Sequence, residues 1–175
     1  SYDLLPTIRS RALQFHLGPV PDDTMRALLV ERGADQVDRR IAIARGAPGL
    51  ALSLDLEAWD RRRDAMLKLL EVAASRQAFS EWVPIGEALA ARKTEKLESL
   101  IDVLYALLED LLAIRSGIEA LRNPDLRRRL EPLASAVSFE WIRRASQRVD
   151  ELVELARRNI QKGPALDAFA VALRR

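Results

Sequence analysis

Apolar and polar positions alternate with a helical period along most of this chain, and with a strand period only near its start. Leu13, Phe15 and Leu17 are spaced two apart, the pattern of a short strand, and the segment around them offers nothing for such a strand to pair with. After Gly18-Pro19-Val20-Pro21 the period changes. Pro21 followed by Asp22 and Asp23 marks a helix start, with acids at the positive end of the dipole. Met25, Leu28 and Leu29 then face inward up to Gly33. A second helix is predicted from Asp35 to Gly46, burying Val37, Ile41 and Ala44. A short third follows Pro48-Gly49 and carries Leu50, Ala51, Leu52 and Leu54.

Longer elements follow. The stretch from Trp59 to Ala74 places Met66, Leu69, Leu70 and Ala73 on one face, opposite Arg61-Arg62-Arg63. A helix from Trp82 to Ala91 is expected to be interrupted near Pro84. The dominant element runs from about Thr94 to Leu121. Its stripe of Leu97, Leu100, Ile101, Leu104, Leu107, Leu108, Leu111 and Leu112 is wide enough to be contacted on more than one side, so this helix should be central. Asn123-Pro124-Asp125 breaks the chain and restarts it. A short helix leads to Pro132, another covers Phe139 to Asn159, and Lys162-Gly163-Pro164 breaks again. Leu166, Phe169, Ala170 and Leu173 give the last amphipathic helix. The expected fold class is all-α: a strand-like stub over 1–17, a three-helix unit over 18–55 and a larger helical bundle over 56–175.

Composition agrees with that reading. Apolar residues make up 49% of the chain and charged residues 31%, with few aromatics, which suits packed amphipathic helices. The net charge of +2 gives no diffuse pull on nucleic acid. The absence of cysteine excludes disulfides and thiolate metal sites and fits a reducing cytoplasm. No apolar run reaches membrane-spanning length, so no membrane partner is expected.

The arginine clusters at 39–40, 61–63, 127–129, 143–144 and 157–158 each have acids nearby, so solvated ion-paired faces are expected rather than a DNA-binding surface. His16, the single histidine, has no companion ligand and is not read as a metal site. Trp59, Trp82 and Trp141 read as core or interface anchors. No catalytic triad, phosphate-cradling glycine loop or paired carboxylates stands out, so no catalysis in cis is expected.

Two motifs carry a family resemblance. Thr7-Ile8-Arg9-Ser10-Arg11, followed by an apolar segment and Pro19, resembles the T-[IL]-x-S-R-C segment of bacterial clamp-loader subunits, the delta-prime and gamma/tau subunits of DNA polymerase III. Ala12 stands where that family has Cys. Arg45-Gly46-Ala47-Pro48-Gly49-Leu50-Ala51-Leu52-Ser53 resembles the sensor 2 motif, G-S-x-R-D-A-L-S in members that hydrolyse ATP, with Gly49 where the arginine belongs. A weaker echo, Asn159-Ile160 and then Leu166 to Leu173, is similar to the end of the family's collar domain.

The resemblance implies a remnant of an AAA+ core over 1–17, a lid over 18–55 and a collar over 56–175 through which five subunits form a ring. It implies that Arg11, with Ser10 beside it, is an arginine finger inserted into the ATP site of a neighbouring subunit. It also implies that Gly46, Pro48 and Gly49 form a sensor-2-like turn without its charged group. An arginine there would stabilise charge developing on the transferring phosphate, which glycine cannot do. The implied protein is therefore a delta-prime type subunit with an inactive ATPase of its own. It would be cytoplasmic, need no cofactor in this portion, and have ATP bound by its neighbours. The implied partners are the gamma/tau and delta subunits, with the sliding clamp and primed DNA at the level of the complex. The sequence also reads as a piece of a longer protein. Two alternatives stay open: the C-terminal part of the gamma/tau ATPase, and an unrelated helical interaction module.

Overall fold

The computed structural model describes residues 6–13, 15, 17–158 and 160–174 of the chain. Among these residues the regular structure is helical throughout. The helices are α1 (Pro6–Arg9), α2 (Asp22–Glu31), α3 (Val37–Ala44), α4 (Pro48–Ser53), α5 (Leu56–Ala73), α6 (Val83–Ala91), α7 (Leu97–Arg115), α8 (Arg127–Ala136), α9 (Phe139–Arg157) and α10 (Lys162–Leu173). Single 3-10 turns precede α6 (Phe79–Glu81) and α8 (Pro124–Leu126).

The strand expected near the start is not formed among the described residues. Pro6–Arg9 makes one turn of helix instead, and Leu13, Phe15 and Leu17 lie in irregular chain with 88%, 82% and 95% of their surfaces exposed. An isolated strand leaves its backbone groups without partners, and among the described residues no second strand is there to satisfy them. His16 and Asn159 lie outside the described residues.

Two apolar clusters organise the rest. The smaller joins α2, α3 and α4 through Met25, Leu29, Ile41, Ala44 and Ala51, with Val20, Ala34 and Val37 packed against it. Of the apolar residues carried by the short third helix, Leu50 and Leu52 are 40% and 41% exposed, because a six-residue helix can seat only one face and Ala51 occupies it. The larger cluster fills the bundle. There α7 packs against α5, α8 and α9, and α10 closes the far side against α5, α6 and α9. Being surrounded explains the broad stripe: Leu100, Leu104, Leu107 and Leu111 have no exposed surface, and only Leu112 emerges, at 45%.

Several boundaries differ from the sequence expectation. Helix α7 ends at Arg115 rather than near Leu121, because Gly117 takes φ +71° and lets Ile118 N–H reach the Ala113 carbonyl at 2.9 Å, a glycine-dependent C-cap. Pro84 does not interrupt α6. It lies in the first turn, where a missing N–H costs nothing. Helix α8 runs through Pro132 to Ala136, since burial of Leu130, Leu133 and Ala134 outweighs one lost backbone hydrogen bond. Lys162 and Gly163 open α10 rather than break the chain. Side-chain caps fix two helix starts: Asp55 accepts from Ala58 N at 2.9 Å and Ser138 from Trp141 N at 3.0 Å, each worth about 1 kcal/mol.

Candidate functional site

The sensor-2-like turn sits between α3 and α4 and is built on two consecutive left-handed residues, Arg45 (φ +45°) and Gly46 (φ +79°). Gly46 is buried. Its carbonyl accepts from Val20 N at 2.9 Å, and a Cβ at this position would lie 2.6 Å from Pro19 Cβ and 2.8 Å from Val20 N and O. Only glycine combines that dihedral with that approach. Pro48 occupies the first turn of α4, where its fixed φ is pre-organised. Gly49 is the opposite case: it is exposed, and a Cβ there would meet nothing within 4 Å.

Arg11 and Ser10 close the turn of α1. Arg11 N donates to the Ile8 carbonyl at 3.1 Å and Ser10 Oγ to the Thr7 carbonyl at 3.2 Å. Arg11 is exposed and makes no ion pair among the described residues. The fold brings Pro19 and Val20, downstream of the first motif, onto the second. It brings neither Ser10 nor Arg11 into hydrogen-bond contact with Gly46, Pro48 or Gly49 among the described residues.

Beneath this turn lies a buried polar junction that the sequence reading missed. Asp110 of α7 is fully buried and spans the following loop: Oδ1 accepts from Arg122 N at 2.6 Å, and Oδ2 from Asn123 N at 3.0 Å and Asn123 Nδ2 at 2.7 Å. Burial raises its carboxyl above the ordinary range, and these hydrogen bonds oppose that rise. Asn123 Oδ1 in turn accepts from Trp59 Nε1 at 3.2 Å. Arg63, read from sequence as solvent-facing, is 6% exposed and bridges Asp125 and Asp60. Asp60 also takes the guanidinium of Arg39 on α3, and that contact holds Arg39 protonated even more firmly than usual.

The same junction reaches the sensor-2-like turn directly. Arg122 donates from Nη2 to the Ile43 carbonyl at 2.8 Å, and Glu109 receives Arg45 at 3.1 Å and Arg122 at 3.4 Å. Ile43 itself packs into the bundle's core rather than into the smaller cluster. Arg40 braces the other end of α4 by donating to the Ala51 and Leu54 carbonyls at 3.0 and 2.8 Å.

A readable signal for the junction existed. Arg63 falls on the face of Trp59, Met66 and Leu70, and Asp110 on the face of Val103, Leu107 and Ile114, both at i, i+4, i+7, i+11 spacing. A lone charge in an apolar stripe is where a buried partner should be sought.

Five other arginines behave as solvated helix faces: Arg129 pairs with Asp64, Arg127 with Glu131, Arg143 with Glu140, Arg148 with Glu151 and Arg157 with Glu154. Among the described residues, no group of three or more His, Cys, Asp or Glu side chains is placed to hold a metal, and no helix is long and apolar enough to cross a membrane.

A central leucine-rich helix packed by α5, α8 and α9, with α10 closing the bundle against α5, α6 and α9 and a small helical unit joined to it through Arg122 and Glu109, defines an all-α packing domain. The family model for the C-terminal part of the DNA polymerase III delta subunit matches residues 57–166, essentially the bundle from α5 into α10. The chain belongs to this clamp-loader family and is a DNA replication component of the polymerase III system, which sets aside the unrelated helical module. Membership implies assembly with other clamp-loader subunits. No curated protein and no solved structure matches the chain.

Proposed function

We propose that the chain is the lid and collar portion of a clamp-loader subunit of the delta-prime type, one that does not hydrolyse ATP itself. In this reading α2–α4 form the lid, α5–α10 form the collar that assembles with the gamma/tau and delta subunits, and Arg11 serves the ATP site of a neighbour. The protein acts in the cytoplasm, where the full complex places the sliding clamp on primed DNA. This portion carries no activity and no cofactor of its own.

Gly49 is the observation that carries the reading. The position is exposed and a Cβ there meets nothing within 4 Å, so close packing does not dictate the glycine. Gly46, three residues earlier, is held by sterics. The framework of the motif is kept for structural reasons while its charged group is missing, and a missing charge there fits a silent nucleotide site.

The test uses the full-length protein reconstituted with the other loader subunits, clamp and primed DNA. Arg11→Ala is expected to lower clamp-dependent ATP hydrolysis, since a finger supplied in trans is worth roughly a thousandfold or more at its site. Unchanged hydrolysis removes the finger assignment. The isolated full-length subunit should show no ATPase. If it hydrolyses ATP, the gamma/tau reading replaces this one. The matched family, the C-terminal part of the DNA polymerase III delta subunit, favours a delta subunit as the second reading. In that case the protein fails to complement a loader lacking delta-prime and instead restores one lacking delta.

A further inference from the structure

Helix α6 is apolar almost all round, with Glu87 its single charged residue. A helix of that composition belongs inside a protein. Yet α10 covers one side of it, and Val83, Pro84, Ala88 and Ala91 are exposed on the other. Between this face and α5 runs a groove of about 480 Å³, walled by Pro84, Ile85, Ala88 and Leu89 on one side and Ala65 on the other.

The wall is preformed. Trp82, with no exposed surface, donates from Nε1 to Asp167 Oδ1 at 2.6 Å and so pins the start of α6 to α10. Gly86 lies against the Trp82 ring, where a Cβ would already be 3.1 Å from it.

The charges around the groove are unbalanced. Asp64 is taken up by Arg129 at 2.6 Å. Arg61 has only the 92%-exposed Glu57 at 3.8 Å, and the Arg92 side chain has no partner among the described residues. An apolar floor edged by one loosely paired guanidinium, Arg61, and one without a partner among the described residues, Arg92, calls for an occupant that is apolar in the middle and acidic at the edges.

We propose that this groove docks an amphipathic helix of another protein chain whose apolar stripe is flanked by acidic side chains. Pro84, Ala88 and Arg92 follow at i, i+4, i+8, and Arg61, Asp64 and Ala65 at i, i+3, i+4. The two walls are therefore ridges of the kind that receive i, i+3, i+4, i+7 anchors. Ala65 and Ala88 are small enough for close approach. Arg61 and Arg92 pair with the guest's acids and set its orientation. A nucleic acid strand would need stacking surfaces, and no aromatic side chain lines the groove. The inference holds for any subunit type and does not depend on the ATP-site assignment.

The test uses the whole chain and a fluorescent synthetic helix with leucines at i, i+3, i+4 and i+7 flanked by glutamates, read by anisotropy. Binding should weaken with added salt and fall by roughly tenfold or more in Arg92→Glu. The same variant should gain affinity for a lysine-flanked version of the peptide. Ala88→Arg, at an exposed position, should abolish binding while leaving the circular dichroism melt unchanged. Equal binding of both peptides by the unaltered chain overturns the proposal, as does binding indifferent to Ala88→Arg. So does displacement of the peptide by a single-stranded oligonucleotide, or a dimer of the chain that Ala88→Arg dissolves, which would make a second copy the occupant.

Discussion

Arg63 and Asp125 meet through two parallel hydrogen bonds, Nη1 to Oδ1 and Nη2 to Oδ2, each 2.8 Å, although sixty-two positions of chain separate them. The pair ties the middle of α5 to the loop that follows α7. Its two members are unequally exposed, the Arg63 side chain at 7% and Asp125 at 46%. Arg63→Ala should therefore cost about 2–4 kcal/mol, because it also strips a partner from Asp60 and leaves a void. Asp125→Ala should cost less, since Asp60 still neutralises Arg63. Urea titrations of the two variants check the order, and equal losses would contradict it.

Asp110 makes the folded state sensitive to pH in a definite direction. Burial, the largest influence, raises its carboxyl above the unfolded value near 3.8. Between those two values the native state binds more protons than the unfolded state, so this group's contribution to stability falls as pH rises through the window and levels off above the raised value. Asp110→Asn should flatten that part of the stability–pH profile. It should also lower overall stability, because an amide offers one acceptor to loop donors that now use both carboxylate oxygens. Denaturant midpoints measured upward from pH 4 test both points.

Tyr105 donates its hydroxyl to Asp150, and burial together with that carboxylate pushes its phenol up to about 12. Above the ordinary value near 10, the native state retains a proton that the unfolded chain gives up, so alkaline pH should destabilise the fold through this group. Ultraviolet titration of a Tyr2→Phe protein, which isolates Tyr105, should show the raised value. Asp150→Asn should bring it down.

The two glycines of the sensor-2-like turn should respond oppositely to alanine. Gly46→Ala faces both a left-handed dihedral and a backbone contact under 3 Å, and should lose at least about 2 kcal/mol. Gly49→Ala enters open space on the first turn of a helix and should be neutral or slightly stabilising. Thermal melts separate the two outcomes.

Adjacent leucines of α7 provide an internal control for the core. Leu111→Ala, at a site with no exposed surface, should cost about 2–5 kcal/mol. Leu112→Ala, at 45% exposed, should stay within about 0.5 kcal/mol.

Periodicity carried most of the helical architecture, since stripes such as Leu100, Leu104, Leu107 and Leu111 record burial directly. Proline was a poorer guide. Pro84 and Pro132 both read as interruptions, yet one falls in a first turn and the other is overridden by packing, and neither circumstance is local to the residue. The strand pattern at Leu13, Phe15 and Leu17 failed for a related reason: alternation gives a face, but a strand needs a partner.

At the candidate site the two motifs were legible as residue types at fixed spacing. In the junction beneath the second motif, Arg63 and Asp110 could be singled out as lone charges in apolar stripes but their partners could not, because Arg63, Asp110, Asn123 and Arg122 find one another only across tertiary contacts. Charge runs such as Arg61-Arg62-Arg63 hide a buried member among exposed ones, and only the apolar-face register tells them apart.

Ile43 belongs to the core of the bundle, and its carbonyl is held by Arg122, seventy-nine positions further along the chain. During synthesis from the N-terminus, α2, α3 and α4 leave the ribosome well before α7 and the loop after it. The small unit must then wait, with the end of α3 uncovered and its carbonyl bonded to water, until Arg122 emerges. A chain stalled before that point should be a target for proteolysis near Ile43, whereas one released beyond it is sealed.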